Sequence, residues 1–271
     1  MLQLRDARIE SARFHRRTQP VDTLVLHYTA IDLAASLKVL RTGAVSVHYV
    51  LAEDGTAHKI LEDNEVGYHA GLSTWRGQPR VNERSIGIEI VNLDGNVHAY
   101  PAVQIKALIE LIKQILAAHP LIKPGNIVGH SDIAPKRKID PGRWFPWKKL
   151  ADAGIGRWPV VVAPASPAAP AAPAATAATA AAAAAPAGNL AAIQTLLTQC
   201  GYPAPHAYGE TAGKFVYVPD ATRPPPGVAN IVQVTTTDIL KAFQLRYTPH
   251  QADGKLTPQT LGLLKKLAAM T

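Results

Sequence analysis

The sequence contains a single cysteine, Cys200, among its 271 residues. One thiol cannot form an internal disulfide, and it also excludes a zinc site built from several cysteines. No apolar run reaches the roughly 20 residues that a membrane-spanning helix needs. The first 20 residues include several arginines but no apolar core, so we do not expect a secretory signal peptide there.

The charges are unbalanced, because 28 Lys and Arg against 20 Asp and Glu give a net charge of +8. A positive surface favours an anionic partner, and nucleic acid and an anionic cell-wall polymer both satisfy that condition. The basic residues are scattered, and no basic segment is interleaved with aromatic residues. We therefore expect no nucleic acid partner, although net charge alone does not identify the ligand.

The chain divides at residues 159–188, which contain almost only Ala, Pro, Thr and Val and carry no charge. Repeated prolines interrupt a continuous helix, so this segment is predicted to be a semi-rigid tether, with a packed Ala-rich helix as the alternative. We therefore predict two domains, residues 1–158 and residues 189–271.

Strand and helix patterns alternate in the first domain. The segments "TLVLHYTA" and "SIGIEIVN" are typical of buried strands, and "VSVHYVLAEDGTAHKILE" predicts a hairpin that turns at Asp54-Gly55. Residues 101–120 begin with proline and place apolar residues on one helical face, as expected for an amphipathic helix that covers a sheet. The prediction is an α/β fold with a mixed central β-sheet flanked by helices.

The second domain has three helical patterns, "NLAAIQTLLTQCGY", "TTDILKAFQLRY" and "DGKLTPQTLGLLKKLAAM". In the last of them, Thr257 is a suitable N-cap and Pro258 occupies the first helical position. A Pro-rich stretch, residues 203–233, has no clear pattern. We predict a small all-α domain.

Two histidines and an aspartate form a candidate metal site. His27 lies in the apolar strand "VLHYT", and His130 ends another strand, "IVGH". Asp140, held between Ile139 and a proline, could supply a third ligand, and two His with one carboxylate leave zinc an open position for catalysis. The alternative is that both histidines are structural. Asp132, in the same loop, is expected to order it through hydrogen bonds.

Glu89 and Lys138 are candidate catalytic groups. Glu89 alternates with isoleucines in "SIGIEIVN" and so points away from them, where it could act as a general base. Lys138 precedes Asp140 by two residues and could stabilise an oxyanion. The alternatives are a salt-bridged carboxylate at the sheet surface and a solvated loop lysine.

Five segments in order, "LVLHYTA", "HYVLAEDGTAHKI", "GYHAGLSTWRG", "SIGIEIVN" and "VGHSDIAPKRKIDPG", resemble the zinc-dependent N-acetylmuramoyl-L-alanine amidases. These enzymes share a superfamily with the peptidoglycan recognition proteins. The resemblance implies zinc held by His27, His130 and Asp140, with Glu89 as general base and Lys138 as oxyanion stabiliser. It also implies hydrolysis of the amide between N-acetylmuramic acid and L-alanine in peptidoglycan or muropeptides, with non-catalytic recognition as the alternative.

The same resemblance suggests further groove residues. His69, Trp75 and Asn92 lie in matching motifs and are expected to line or support the substrate groove. His48, in "SVHYV", is either substrate-facing or structural.

The second domain resembles the small helical peptidoglycan-binding modules in "LKAFQLRYTPHQADGKLTPQTLGLLKKL". A role in oligomerisation, which would make the protein a homo-oligomer, is the competing interpretation. A tether and a wall-binding module suit the periplasm or cell envelope. The absence of a recognisable signal peptide favours the alternative, a cytoplasmic recycling enzyme.

Overall fold

The structure is a computed structural model that describes residues 2–8, 13–43, 45–159 and 190–270. Except for Pro159, the predicted tether lies outside the described residues. No helix in the described ranges is both long and apolar enough to cross a membrane. The strands are, in chain order, β1 (Leu4–Asp6), β2 (Phe14–Arg16), β3 (Thr23–Tyr28), β4 (Tyr49–Leu51), β5 (Ala57–Lys59), β6 (Glu65–Gly67), β7 (Thr74–Trp75), β8 (Gln78–Pro79), β9 (Ser85–Ile90), β10 (Ile127–Gly129), β11 (His206–Thr211), β12 (Lys214–Val218) and β13 (Ala229–Val234).

Helices surround these strands, and the longest of them covers the central sheet. The α-helices are α1 (Leu33–Thr42), α2 (Ala102–Ala118), α3 (His130–Ile133), α4 (Trp147–Asp152), α5 (Leu190–Cys200), α6 (Thr236–Tyr247) and α7 (Pro258–Ala268). Short 3₁₀ helices occur at Val81–Arg84, Pro124–Asn126 and Pro249–Gln251.

A six-stranded mixed sheet forms the centre of the first segment, in the order β1-β5-β4-β9-β3-β10. Strands β4 and β5 are antiparallel and joined through the predicted Asp54-Gly55 turn, whereas the other neighbours run parallel. The central strands β3 and β9 are almost entirely buried, which is typical of parallel strands covered on both faces. The predicted mixed sheet flanked by helices is confirmed.

The two faces of this sheet belong to different cores. Leu24 and Leu26 of β3 point to the face covered by α2, where they share a core with Leu108 and Ile112. Val25 points to the opposite face, in a core that also contains residues of the second segment. Because side chains alternate along a strand, His27 lies on the same face as Val25.

The second segment is not all-α, so that prediction is wrong. Strands β11, β12 and β13 form a three-stranded antiparallel sheet in the order β12-β11-β13, within the stretch that had no clear pattern. The β11–β12 turn places Ala212 at φ 48° and Gly213 at φ 71°, the left-handed conformation that a tight hairpin turn requires. The apolar run "FVYV" of β12 is the strand signal that the surrounding prolines obscured.

The second segment shares its core with the first. Leu197 of α5, Tyr202 and Phe243 of α6 pack in one buried cluster with Val128 and Trp75 of the first segment. The face of the central sheet opposite α2 is therefore covered in part by residues 190–270.

Candidate metal centre

Three neighbouring parallel strands carry the predicted site residues to one edge of the sheet. His27 of β3 and Glu89 of β9 are direct partners in the parallel ladder. Strand β10 lies on the other side of β3 and ends at Gly129, after which α3 begins with His130. Two of the predicted metal ligands and the predicted general base therefore start from adjacent strands.

The three predicted ligands meet in a buried cluster. His27 Nδ1 lies 2.9 Å from His130 Nδ1, and Asp140 Oδ2 lies 3.1 Å from each of these nitrogens. His27, His130 and Asp140 form the one group in the described ranges whose ligand atoms could hold a metal ion together. The predicted convergence of two distant histidines is therefore present.

Hydrogen bonds at the far side of each ring orient the histidines. His130 Nε2 lies 3.0 Å from the carbonyl oxygen of Ala70, which can only accept, so Nε2 carries the proton and Nδ1 presents its lone pair to the cluster. His27 Nε2 lies 3.0 Å from His69 Nδ1, and donation from His27 gives it the same tautomer. A hydrogen bond at the outer ring nitrogen is the usual support of a metal-ligating histidine.

The donor set fits zinc. Burial lowers the pKa of His130 to about 4, against the raising effect of Asp140, so its ring is neutral and available as a ligand. Zinc bonds of about 2.0–2.1 Å in tetrahedral geometry separate ligand atoms by roughly 3.3–3.4 Å, a few tenths more than the separations here. Two nitrogens and one carboxylate oxygen leave the fourth position open, as in catalytic zinc sites.

Asp140 is held as a carboxylate beside the two rings. Burial acts to raise the pKa of Asp140, but the interactions with His130 and His27 outweigh it and hold that pKa well below its ordinary value. The backbone also ties Asp140 to α3, because Ser131 N donates to Asp140 O at 2.9 Å. Asp140 and His130 therefore belong to one locally braced unit.

One carboxylate oxygen of Glu89 has no hydrogen-bond partner among the described residues. Glu89 Oε2 is buried, and no group in the described part of the chain hydrogen-bonds to it. Burial raises the pKa of Glu89 to about 7; Asp140 adds to this, while His27 and Lys138 act against it. A carboxyl group with a pKa near neutrality can both accept and return a proton at the pH of most cells.

An open cavity of about 380 Å³ connects these groups with solvent. Its lining includes His27, Glu89, His130, Asp140 and Lys138. The loop lysine therefore faces the same space as the base and the ligand cluster, as its predicted role requires.

Comparison with known proteins identifies the family. Residues 17–143 match the family described as N-acetylmuramoyl-L-alanine amidase. The N-acetylmuramoyl-L-alanine amidase AmiD of Escherichia coli K12 is 42% identical over 153 residues, which cover 51% of this chain and 55% of AmiD. The 1,6-anhydro-N-acetylmuramyl-L-alanine amidase AmpD of Haemophilus influenzae is 31% identical over 166 residues, covering 52% of this chain and 88% of AmpD. The chain belongs to the N-acetylmuramoyl-L-alanine amidase family. The matched part of the chain spans about half the length of AmiD and of a second curated relative, a putative N-acetylmuramoyl-L-alanine amidase of Rickettsia conorii.

Solved structures in this amidase family extend the similarity to the second segment. AmpDh3 from Pseudomonas aeruginosa matches with a TM-score of 0.68 and 30% identity, covering 94% of this chain and 96% of that chain. AmiD from E. coli, in complex with the substrate anhydro-N-acetylmuramic acid-L-Ala-D-gamma-Glu-L-Lys, gives a TM-score of 0.68 and 29% identity, covering 94% and 92%. The fold of both segments is thus similar to that of the AmiD and AmpDh3 structures.

Among the weaker candidates, His69 supports the cluster from behind. Its Nδ1 contacts His27 Nε2, its Nε2 lies 3.3 Å from Ser85 Oγ, and the ring reaches the cavity wall. His48 is 0% exposed; its Nδ1 accepts from Gly87 N at 3.1 Å and its Nε2 lies 3.0 Å from Glu65 O. No ring nitrogen of His48 is left for a substrate, which favours the structural interpretation of this residue.

Trp75 and Asn92 are not among the residues that line the cavity. The Trp75 ring is buried against Tyr202 of the second segment, and its Nε1 donates to Gly125 O at 3.1 Å. Asn92 is buried, donates to His98 O at 3.2 Å and accepts from Asp94 N at 2.9 Å. Trp75 holds the two segments together, and Asn92 orders the loop after β9; these contacts support the site indirectly.

Arg137 is a site residue that sequence reasoning did not identify. Its Nη2 donates to Ala70 O at 2.7 Å and to Leu72 O at 2.6 Å, and Ala70 O is the acceptor that orients His130. Burial lowers the pKa of Arg137, with Asp140 acting in the opposite direction. In the sequence it lies between two lysines, so no local pattern separates it from a solvated basic run.

Proposed function

We propose that the protein hydrolyses the amide bond between N-acetylmuramic acid and L-alanine in peptidoglycan or muropeptides, with zinc bound by His27, His130 and Asp140. The observation that carries the proposal is the position of Glu89, whose buried, unpaired oxygen adjoins the ligand cluster. A buried carboxylate oxygen without a partner is unfavourable for folding, and such groups concentrate at catalytic sites. A protein that only recognises muropeptides needs no general base, so this feature favours catalysis over recognition.

In the proposed mechanism, the scissile carbonyl enters the cavity between Lys138 and the ligand cluster. When bound, zinc supplies Lewis acidity that acidifies water and polarises the carbonyl. Glu89 takes the proton from the attacking water and returns it to the leaving amine of L-alanine. The Lys138 ammonium offsets the negative charge that develops on the carbonyl oxygen. The C–N bond breaks, and the products are a free lactyl carboxylate and a stem peptide with a free amine.

Soluble muropeptides are the substrates that the relatives support most directly. The AmiD complex contains anhydro-N-acetylmuramic acid-L-Ala-D-gamma-Glu-L-Lys, and an AmpDh3 complex contains an anhydromuramic pentapeptide. We propose that this chain accepts anhydromuropeptides of the same kind. Polymeric peptidoglycan is the second substrate to test.

The test uses purified anhydromuropeptide and mass spectrometry of the released stem peptide. The wild-type protein should release peptide, and a chelator should abolish the release until zinc is restored. Glu89→Gln should retain zinc but lose about 10²–10⁴-fold in rate, the range for removing a general base. Asp140→Ala should lose both zinc and activity. Glu53→Gln, at an exposed glutamate, serves as the matched control.

A Glu89→Gln variant that releases stem peptide at the wild-type rate would contradict the proposed mechanism. Wild-type protein that binds muropeptide and zinc without releasing any peptide would support the recognition alternative.

The role of residues 190–270 in binding the cell wall stays a prediction, with homo-oligomerisation as its competitor. An open cavity of about 610 Å³, lined by residues of β11, β12 and the start of α6, including His206, Tyr217 and Thr237, offers a site for wall fragments. We propose the periplasm or cell envelope as the location of the protein, because a wall-binding role for the second segment would suit it, with the cytoplasm as the alternative. Fractionation of native cells distinguishes that location from the cytoplasm.

A further inference from the structure

Asp132 is a buried carboxylate immediately beside the metal centre. It lies two residues after His130 in α3 and is only 1% exposed. Its Oδ2 accepts from the backbone N–H of Gly129 at 2.9 Å, which closes the first turn of α3. The sequence predicted this loop-ordering role, and the hydrogen bond confirms it. The remaining partners of the carboxylate come from the other end of the chain.

Arg246 of α6 supplies the positive charge for Asp132. Its Nη1 donates to Asp132 Oδ2 at 2.9 Å and to Ile127 O at 3.0 Å. The guanidinium lies 3.9 Å from the centroid of the Trp147 ring, and Arg246 is only 7% exposed. Tyr202, also from the second segment, donates its hydroxyl to Asp132 Oδ1 at 2.6 Å.

These contacts connect the second segment to a predicted zinc ligand. From Arg246, the path runs through Asp132 to Gly129 N and so to the first turn of α3, whose first residue is His130. Helix α3 has four residues, too few to be stable through its own hydrogen bonds, so tertiary contacts must hold it. Arg246 also fixes β10 directly, because Ile127 begins that strand.

We propose that Arg246 is a positioning residue for the metal centre, which it acts on through Asp132 and α3. The second segment is then part of the amidase machinery, in addition to any role in binding the wall. This inference rests on the proposed function, since it takes His130 as a zinc ligand. Without Arg246, Asp132 loses its ion-pair partner and keeps only the hydrogen bonds from Gly129 and Tyr202, so a displacement of α3 that exposes the carboxylate to water becomes favourable.

The test measures zinc affinity of the full chain by competition with a chromogenic chelator, so that it does not depend on catalysis. Arg246→Met should weaken zinc binding by about 10–100-fold, the range for removing a residue that supports a metal ligand. Arg246→Lys restores the charge without the planar fork and should recover part of that loss. Lys241→Met removes an exposed cation from the same helix and should leave zinc affinity unchanged.

A second comparison separates positioning from general weakening of the interface. In an Asp132→Asn background there is no carboxylate to neutralise, so Arg246→Met should change zinc affinity far less than it does in the wild type. Trp158→Leu removes a ring that packs on Tyr247 at 5.3 Å in the same interface, and it should lower thermal stability while zinc affinity is retained.

Zinc affinity that is unchanged in folded Arg246→Met, or lowered equally in both backgrounds, would overturn the proposal. Should Arg246→Met fail to fold, Arg246→Lys decides the question, because it keeps the positive charge but loses the planar guanidinium that donates to Asp132 and Ile127. Weaker zinc binding in that variant supports the proposal, and unchanged binding overturns it. Failure of the proposed function looks different, because the wild type would then bind zinc without releasing stem peptide.

Discussion

At the scale of single residues, two buried histidines with similar pKa values have different roles. Burial lowers the pKa of both His48 and His130 to about 4. His48 uses both ring nitrogens within the fold, whereas His130 directs one nitrogen to His27 and Asp140. In the sequence both are histidines in or beside apolar strands. Their roles differ because each ring contacts a different set of groups that are distant in sequence. A local sequence pattern cannot predict those contacts.

The buried state of His48 predicts a loss of stability in acid. Its pKa is about 4 in the folded protein and 6.5 when unperturbed, so the unfolded chain binds more protons between these values. Stability is therefore present above pH 6.5 and lost as pH falls towards 4. His48 alone should account for about 2 kcal/mol of unfolding free energy lost between pH 7.5 and pH 5. Urea titrations at the two pH values measure this loss.

His48→Gln is the variant that tests this assignment. It should be less stable than the wild type at pH 7.5, yet lose about 2 kcal/mol less between pH 7.5 and pH 5. His98→Gln, at an exposed histidine, should follow the wild type at both pH values. An acid loss in His48→Gln as large as that of the wild type would refute the prediction.

At the scale of secondary-structure elements, the sequence predicted most where the pattern was local. The strand of His27, the Asp54-Gly55 hairpin and helix α2 all follow from apolar periodicity and turn residues, and the structure contains each of them. The β11–β13 sheet was missed because prolines and glycines recur through residues 203–233 and interrupt the strand pattern. The available signals were local, namely the apolar run "FVYV" of β12 and the turn at Ala212-Gly213, whereas the pairing of β13 with β11 has no local signal.

Two glycines in the second segment predict opposite effects of the same substitution. At both Gly213 and Gly262 an added Cβ meets nothing within 4 Å. Gly262 lies inside helix α7, so Gly262→Ala should stabilise the protein by about 0.5–1 kcal/mol through helix propensity. Gly213 has φ +71°, where an L side chain is strained, so Gly213→Ala should destabilise it by about 1–2 kcal/mol.

Urea unfolding at one pH gives both values, and each variant is the steric control for the other. Equal stability changes in the two variants would mean that backbone conformation at the β11–β12 turn does not decide the outcome.

At the scale of the whole molecule, the three residues of the candidate metal centre could be predicted from the sequence, but the residues that support them could not. His27, His130 and Asp140 lie in motifs of the first segment that can be recognised in order. Arg246 lies more than 100 residues away from Asp132, in a helix whose pattern indicates only an amphipathic element. A buried ion pair between two segments cannot be predicted from the local sequence around either residue. The predicted tether between them also favoured the view that they are independent units.

The shared core predicts that the two segments unfold together. Phe243 and Leu197 of the second segment are fully buried in one cluster with Val128 of the central sheet, so melting either segment exposes apolar surface of the other. Scanning calorimetry of the full chain should show one transition whose calorimetric and van't Hoff enthalpies agree. Phe243→Ala should lower the unfolding free energy by about 3–5 kcal/mol and move that single transition to a lower temperature. Two resolved transitions, with only one displaced by Phe243→Ala, would instead describe a catalytic domain that carries an independent module on a tether.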